Sequence, residues 1–247
     1  MYKESIQDAI SMHELPVKWH SDILKEAEVV SDKKKTAKYR RDLRTMPFAT
    51  IDGEDAKDFD DAIYCDKNAS GYKLYVAIAD VSFYVEANSK LDKEAKKRGT
   101  SIYFPETVIP MLPEILSNGI CSLRPNEDRC AMVCEMSIAL DGTRKKYKFY
   151  SGLINSQARL TYNQVEEYLN QPKDLSWKEV GDSINHLHEL TKKRLKIRNS
   201  RQALEINPTE AILELNKNKE VKNIVIKKPL FAHKLVEESM LLANESA

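Results

Sequence analysis

The apolar residues of this chain occur either in short continuous runs or in helically spaced stripes, and the short runs predict strands. The longest run, residues 72–79, is almost entirely apolar, as expected for a strand that is buried on both faces. Turn-forming residues at 66–71 predict a hairpin before it, and Asp141-Gly142 predicts a second hairpin. Strands are predicted at residues 48–51, 62–65, 72–79, 131–140, 147–154, 211–215 and 221–226.

A short helix is predicted at residues 90–98, because Ser89 can cap its first turn, Asp92 lies three residues later and Gly99 can end it. The Pro-containing stretch at 103–113 cannot form a long helix, because proline lacks a backbone N–H and clashes with the preceding turn.

Longer helical patterns occupy the second half of the chain. One begins near Tyr162, and another covers 177–203 with a single apolar face. A final helix begins near Phe231 and carries no stop signal, so we expect it to be cut off by the end of the chain. The apolar face of 177–203 consists of Val180, Ile184, Leu187, Thr191 and Leu195.

The character of the chain changes near Pro47. Residues 1–45 are polar, with weak apolar stripes broken at Pro16, and are interpreted as an N-terminal linker or helical segment. Residues 46–247 combine the predicted strands and helices. Their hairpins and helical patterns predict an α/β fold of the mixed α+β type, with a mixed, largely antiparallel sheet and flanking helices.

The composition, 42% hydrophobic and 31% charged, is that of an ordinary globular protein. A net charge of +1 does not by itself indicate nucleic acid, yet the positive charge is concentrated in two runs. Each run could follow a phosphate backbone or form a solvated helix face. The runs consist of Lys33, Lys34, Lys35, Lys38, Arg40, Arg41 and Arg44, and of Lys192, Lys193, Arg194, Lys196, Arg198 and Arg201.

Other site classes are disfavoured by what the sequence lacks. The four cysteines Cys65, Cys121, Cys130 and Cys134 form no CxxC pair and have no clustered histidines, which argues against zinc and for reduced, buried thiols. Glycine is scarce, which argues against phosphate-binding loops. No run approaches the about 20 apolar residues of a membrane span, and no secretory signal follows Met1. We therefore expect a cytoplasmic protein without a membrane partner.

The acidic segment between the first two predicted strands is the most informative part of the sequence. It places Asp52, Asp58, Asp60 and Asp61 within ten residues. If the connector loops back and the later trio is extended, Asp58 and Asp60 share a side and Asp61 points away, whereas a turn at Asp60 would bring all four together. Two carboxylates about 4 Å apart repel by roughly 4 kcal/mol at an effective dielectric of about 20, so such a cluster needs a cation.

Oxygen ligands select hard cations, and Mg²⁺ binds through a few carboxylates, waters and substrate phosphate oxygens. The segment therefore predicts a Mg²⁺ site for phosphoryl transfer. The spacing does not match a calcium-binding EF-hand, which needs oxygen ligands at the fifth and twelfth positions of its loop. A loop that starts at Asp52 would have Ala56 and Ile63 there. The remaining alternative is a solvated acidic loop.

Several stretches, taken together, resemble the RNase II / RNase R exoribonucleases in their RNB catalytic domain, with RNase R as the closer type. They follow the family's order from about residue 40 onward, which is more specific than any single motif. The stretches are residues 50–62, 76–82, 103–105, 109–113, 116–119, 121–123, 158–162 and 233–244.

The resemblance implies Mg²⁺-dependent, processive hydrolysis of single-stranded RNA from its 3′ end to nucleoside monophosphates. It also implies that Asp52, Asp58, Asp60 and Asp61 hold Mg²⁺ at the scissile phosphate, with Asp60 as the most damaging position to neutralise. RNA-decay or ribosome-associated factors are the protein partners that the resemblance allows.

The resemblance also assigns residues that contact RNA. Tyr103 matches a tyrosine that stacks on the terminal base, a contact worth roughly 1–3 kcal/mol for any base. The alternative for Tyr103 is an ordinary core position beside Phe104 and Pro105. Tyr162 and Glu237 match positions that contact the bound RNA end.

The chain departs from the family in three places. Ile206 stands where some members have a phenylalanine that sandwiches the terminal bases. The family's domain continues past the position of Ala247 and later supplies an arginine that grips the scissile phosphate. Residues 1–45 match the segment after the family's cold-shock domains. The resemblance therefore predicts a middle piece of a longer exoribonuclease, weak or inactive alone.

Two other functions stay open. One is a non-catalytic RNA-binding module whose acidic cluster is a structural metal site. The other is a DNA-directed or endonucleolytic two-metal nuclease, which shares the carboxylates but does not explain the Tyr103 segment. The presence of all four aspartates at the family spacing favours the exoribonuclease.

Overall fold

A computed structural model describes residues 2–32, 39–105, 107–171, 178–203, 210–216, 221–227 and 229–247. The chain forms two compact units. The first unit takes in the described residues of 1–33, 84–117 and 205–229, and the second those of 34–83, 118–204 and 230–247.

The strands and helices are numbered in chain order. The strands are β1 (Arg41–Asp42), β2 (Ala49–Asp52), β3 (Asp61–Asn68), β4 (Gly71–Ala79), β5 (Ile102–Phe104), β6 (Thr107–Ile109), β7 (Asp128–Ile138), β8 (Arg144–Asn155), β9 (Ala158–Thr161), β10 (Glu210–Leu215) and β11 (Val221–Lys227). The helices are α1 (Tyr2–Met12), α2 (Ser21–Ser31), α3 (Val81–Tyr84), α4 (Lys90–Arg98), α5 (Tyr162–Asn170), α6 (Lys178–Ser200) and α7 (Phe231–Asn244), with a π-helix at Ile115–Ile120.

The second unit is built on a seven-stranded sheet with the order β1-β8-β7-β4-β3-β2-β9. The outer pairs β1/β8 and β2/β9 are parallel, and the four inner pairs are antiparallel. This confirms the predicted mixed, largely antiparallel sheet. Strand β1 lies before the predicted boundary at residue 46 and nevertheless joins the sheet.

One face of this sheet packs against helices and contains the larger core. The predicted apolar face of α6 is buried there through Val180, Ile184 and Leu187, with Leu195 partly exposed at its end. Leu235 and Leu242 of α7 belong to the same core. The opposite face carries a smaller core that includes Phe48, Phe59, Tyr75, Leu123 and Ile154.

Both predicted hairpins are present. Gly71 in the β3–β4 turn has φ +139°, and a Cβ there would stand 2.1 Å from the carbonyl oxygen of Ile138. Gly142 in the β7–β8 turn has φ +92°. Both turns therefore need glycine because their backbone lies in a region that side chains disfavour.

Helix α4 has the predicted bounds. Ser89 accepts a hydrogen bond from the Asp92 amide, and Gly99 follows the helix with φ +75°. Helix α7 covers Phe231–Asn244, the stretch that carried the helical pattern. The helical i→i−4 bonding continues past Asn244, because the Ala247 amide donates to the carbonyl of Ala243 at 3.2 Å.

In the first unit, Ile23 and Ala27 of α2 and Leu91 of α4 are buried. The side chain of Arg98 lies over the Trp19 ring at 3.4 Å and donates to the Lys18 carbonyl. The Pro-containing stretch forms the β5–β6 hairpin, which confirms that it is not a long helix.

Six arginines of the two basic runs are ion-paired within the chain, so they are not simply a solvated surface. Arg40 pairs with Asp80, Arg41 with Glu135, Arg44 with Asp42 and Asp128, Arg194 with Glu238 and Glu245, Arg198 with Glu237 and Glu238, and Arg201 with Glu245. Residues 33–38 of the first run lie outside the described residues.

The four cysteines are free thiols and all are buried, as predicted. Burial, with the charge of Asp60 as a smaller cause, raises the pKa of the Cys121 thiol to about 12. Of the helices that the structure describes, none combines the length and apolarity needed to span a membrane.

Candidate active site

The four aspartates lie where β2 ends and β3 begins. Asp52 is the last residue of β2, and Asp61 is the first residue of β3. Residues 53–60 connect them and are called the acidic loop here; Asp58 and Asp60 belong to it. Because β2 and β3 are antiparallel neighbours, the connector returns to the same edge of the sheet, as the sequence led us to expect.

The carboxylates are close enough to affect one another. Burial raises the pKa of Asp60, and the charges of Asp58 and Asp52 raise it further. The Asp60 side chain still reaches solvent, but the protein around it removes part of its hydration. The charge of Asp58 therefore acts on Asp60, while the prediction that the two residues share a side stays a prediction.

Asp61 is coupled to the same cluster instead of standing apart from it. Burial raises its pKa to about 6, and the charges of Asp52 and Asp60 add to the effect. Its Oδ2 atom is buried and has no hydrogen-bond partner. A buried carboxylate oxygen without a partner is costly unless a positive group satisfies it.

The acidic loop is anchored on two sides. The Phe59 side chain is buried in the smaller core, and its amide donates to Ser122 Oγ at 3.0 Å. Arg159 of β9 donates to the carbonyls of Gly53 at 3.0 Å and Glu54 at 2.5 Å. These contacts fix a loop that has no regular secondary structure of its own.

Tyr162 borders the cluster at the start of α5. Burial raises the pKa of its phenol to about 12, and the charges of Asp52 and Asp61 raise it as well. His233 of α7 stacks on the Tyr162 ring with centroids 4.0 Å apart and planes 11° apart. The Leu230 amide donates to His233 Nδ1 at 3.0 Å, so that nitrogen is an acceptor.

The residues fit a hard divalent cation by their chemistry. All donors are carboxylate oxygens, one of them is buried without a partner, and their mutual repulsion would be removed by positive charge. Within the described residues, however, no three acidic, histidine or cysteine side chains are gathered into a finished metal site. The donor set thus suits an ion that completes its shell with water and phosphate oxygens.

The other predicted site residues belong to other elements of the fold. Tyr103 is in β5 of the first unit and is 64% exposed, so it is not the core residue of the alternative interpretation. Glu237 lies on α7 and pairs with Arg198 at 2.6 Å. Ile206 lies outside the described residues.

Sequence reasoning missed Ser122, Arg159 and His233 as partners of the site. Each comes from a separate part of the chain and reaches the site only through the fold. All three lie in stretches that carried the family resemblance. Their contacts with the site could not be read from those stretches; the contacts of Arg159, for example, depend on the pairing of β9 with β2, which is more than one hundred residues away in the sequence.

Comparison with known proteins agrees with this architecture. The RNB domain family matches residues 40–247. The chain is 44% identical to Ribonuclease R of Escherichia coli (strain K12) over 250 residues, which cover 98% of this chain and 30% of that protein. It is 43% identical to Ribonuclease R of Thermotoga maritima, with 98% of this chain and 35% of that protein covered.

Among solved structures, RNase R of Mycoplasma genitalium in complex with ribose methylated single-stranded RNA superposes with a TM-score of 0.92 at 32% identity. That match covers 98% of this chain and 38% of the other. The chain therefore spans 30–38% of the length of these three proteins. Because the family match takes in more than half of the residues, the chain belongs to the RNB domain family.

Proposed function

We propose that this chain contributes the acidic site of a Mg²⁺-dependent 3′→5′ exoribonuclease that degrades single-stranded RNA processively to nucleoside monophosphates. The observation that carries the proposal is the coupling of Asp52, Asp58, Asp60 and Asp61 on one sheet edge, with an unpartnered buried oxygen on Asp61. Since the chain spans 30–38% of the relatives described, their activity is carried over to it only as a proposal.

The roles of the acidic residues follow from their surroundings. Asp52, Asp58, Asp60 and Asp61 would hold the cation. When bound, Mg²⁺ supplies Lewis-acid stabilisation of charge that develops on the phosphate and leaving oxygens. With positive charge beside them, the aspartates would stay deprotonated, because an opposite charge lowers a carboxyl pKa.

Tyr162 has a different role. A phenol is protonated at neutral pH even at its ordinary pKa of 10, and the raised pKa extends this to more alkaline pH, so its O–H is a donor beside a cluster of acceptors. We infer that it donates to a non-bridging oxygen of the RNA phosphate and that the His233 stack holds its ring in place. Glu237 is assigned to the RNA end on the resemblance, in competition with its ion pair to Arg198.

Tyr103 supplies an exposed aromatic ring, as a base-stacking residue requires. Stacking on a ring does not depend on base identity, which suits an enzyme that degrades RNA of any sequence. We assign it the terminal base, and we keep RNA-decay or ribosome-associated factors as partners and the cytoplasm as the compartment. Residues 1–45 are proposed as a linker and 46–247 as the N-terminal part of the catalytic domain.

The test is degradation of a 5′-labelled single-stranded RNA by the 247-residue chain in Mg²⁺. We expect slow stepwise shortening from the 3′ end that EDTA abolishes, because a piece of the longer enzyme is expected to be weak alone. Asp60→Asn should lower the rate at least about 100-fold, because it removes a carboxylate that would hold the catalytic cation. A 100-fold loss corresponds to about 2.8 kcal/mol of transition-state stabilisation, since each 1.4 kcal/mol is a factor of ten. A circular RNA of the same sequence should resist, and the matching DNA should be cleaved far more slowly.

The matched control is Asp66→Asn, which neutralises an exposed aspartate of β3 outside the cluster. It should retain the activity of the unaltered chain. Mg²⁺-dependent thermal stabilisation without any shortening of RNA, in this chain and in a longer form of the protein alike, would favour the non-catalytic RNA-binding module. Cleavage of circular RNA or of DNA at equal rates would favour the endonuclease, and the absence of both cleavage and stabilisation would refute every metal-dependent proposal.

A further inference from the structure

Ser122 lies directly behind the acidic loop. Its side chain is 0% exposed, and its hydroxyl makes two hydrogen bonds to that loop. The hydroxyl accepts from the Phe59 amide at 3.0 Å and donates to the Lys57 carbonyl at 3.0 Å. These two groups flank Asp58, so a single buried hydroxyl joins the backbone on both sides of one aspartate.

The neighbouring backbone strengthens this attachment. The Leu123 amide donates to the Phe59 carbonyl at 2.8 Å, and the Phe59 ring is buried in the same core as Leu123. On the far side of Phe59, the Ala79 amide donates to the Asp60 carbonyl at 2.8 Å. The backbone from Lys57 to Asp60 is therefore tied to fixed parts of the fold at four points.

Ser122 is itself held by a buried arginine. Arg129 of β7 is 2% exposed, and its Nε donates to the Ser122 carbonyl at 2.7 Å. The same guanidinium donates to the Gly119 carbonyl at 3.3 Å and pairs with Glu127 at 2.6 Å. Strand β7 is an interior strand that pairs with β8 on one side and β4 on the other, so Ser122 is tied to a strand with neighbours on both sides.

Carboxylates that repel one another move apart unless their backbone is restrained. Metal ligands in general depend on groups that fix their orientation, and loss of such a group typically costs about 10–100-fold in metal affinity or activity. The Ser122 hydroxyl occupies this supporting place for Asp58 and, through Phe59, for Asp60.

We propose that Ser122 is a positioning residue that holds Asp58 and Asp60 in register for a divalent cation, with Arg129 acting through it. This inference rests on the proposed function. It assigns to Ser122 an effect on the metal site that goes beyond its part in the folded core.

Ser183 provides a matched control for this effect. It is buried on α6, and its hydroxyl accepts a hydrogen bond from the Cys65 amide at 2.9 Å. Cys65 lies on β3, the strand that begins with Asp61, but near its middle. Ser183→Ala thus removes the same kind of buried serine-to-amide bond without touching the acidic loop.

The experiment measures Mn²⁺ binding to the 247-residue chain by electron paramagnetic resonance, with thermal unfolding of each variant in parallel. Ser122→Ala should weaken Mn²⁺ binding about 10-fold or more, while Ser183→Ala retains the affinity at a similar loss of thermal stability. Ser122→Cys, which keeps a weaker donor in nearly the same volume, should bind with intermediate affinity. In RNA degradation, Ser122→Ala should lower kcat and leave KM for RNA unchanged.

Hydrogen exchange supplies a readout that needs no metal. The Phe59 amide should exchange faster in Ser122→Ala than in Ser183→Ala, because only the first variant frees it. Unchanged Mn²⁺ affinity in Ser122→Ala would overturn the proposal, and so would an equal loss in Ser183→Ala, since affinity would then follow overall stability. If the unaltered chain binds no Mn²⁺, the proposed function itself fails, and this inference fails with it; the two failures are distinguished by that first measurement.

Discussion

Glu135 is a buried carboxylate surrounded by partners on the sheet face opposite the helices. Arg41 contacts it at 2.7 Å, Lys73 and Lys148 each at 3.2 Å, and the Tyr150 hydroxyl donates to it at 2.9 Å. Burial raises its pKa, but the hydrogen bonds from Tyr150, Lys148 and Lys73 outweigh burial, and the net pKa lies below the ordinary 4.5. The charged form of Glu135 is therefore favoured by folding, unlike that of Asp61.

A pH dependence follows for Glu135. A carboxyl whose pKa is lowered by folding adds stability above its unfolded pKa, near 4.5, and that stability is lost as the pH falls through the folded value. Glu135→Gln should lower the free energy of unfolding by about 2 kcal/mol at pH 7, because hydrogen bonds to a charged group are lost. The difference from the unaltered chain should shrink below pH 4.5.

Urea unfolding at a series of pH values measures this difference. Glu28→Gln, at an exposed position of α2, is the control and should unfold like the unaltered chain at every pH. A Glu135→Gln deficit that does not change with pH would show that packing, and not the charge, is what the carboxylate contributes.

At the scale of elements, the β3–β4 hairpin depends on one glycine. Gly71 has φ +139° and approaches the backbone of Ile138 on β7. The two central antiparallel strand pairs of the sheet therefore meet at a position that no side chain can enter. Gly99, after α4, shares the positive φ but faces open space.

Gly71→Ala should therefore destabilise the chain more than Gly99→Ala. At Gly99 the cost is the positive φ alone, about 1–2 kcal/mol. At Gly71 a methyl group 2.1 Å from a carbonyl oxygen adds a displacement of backbone to that cost. Chemical denaturation of both variants measures the difference, and equal losses would mean that the sheet yields at the turn without strain.

Local sequence signals made many of the turns, caps and strands predictable from the sequence. The hairpins at Gly71 and Gly142 and the Ser89 cap involve residues a few positions apart, so their chemistry is visible in the chain itself. Strand β9 escaped prediction because its four residues are defined by pairing with distant β2. The same limit applies to the site: the aspartates are neighbours in sequence, whereas Ser122 reaches the acidic loop only through the fold.

At the scale of the whole molecule, part of the positive charge of the two basic runs, which suggested a nucleic-acid surface, is neutralised by ion pairs within the protein. Arg198 of α6 donates to Glu237 at 2.6 Å and to Glu238 at 2.9 Å, and Glu238 is only 3% exposed on its side chain. Arg194 adds a longer contact to Glu238 at 3.8 Å. Arginines of the second basic run thus connect α6 to α7, and these ion pairs neutralise charge that would otherwise face RNA.

Arg198→Met should accordingly act on stability. Removing one partner of a buried ion pair costs about 3 kcal/mol, because Glu238 keeps its charge with a weaker partner. RNA affinity should not fall, since the guanidinium is already neutralised and its loss only releases Glu237. Lys196→Met, at an exposed position of the same helix, should leave the unfolding free energy unaltered. Weaker RNA binding by Arg198→Met at unchanged stability would instead place Arg198 on the RNA surface.

The burial of all four thiols has a practical meaning. Maleimide and iodoacetamide reagents attack accessible thiolates, and none of the native cysteines offers one to solvent. A cysteine introduced at exposed Asn68 would therefore be the preferred point of dye attachment, without prior removal of native sulfur. The burial of the native cysteines thus allows single-site fluorescent labelling, and a dye at the β3–β4 turn would report RNA binding in single-molecule fluorescence experiments.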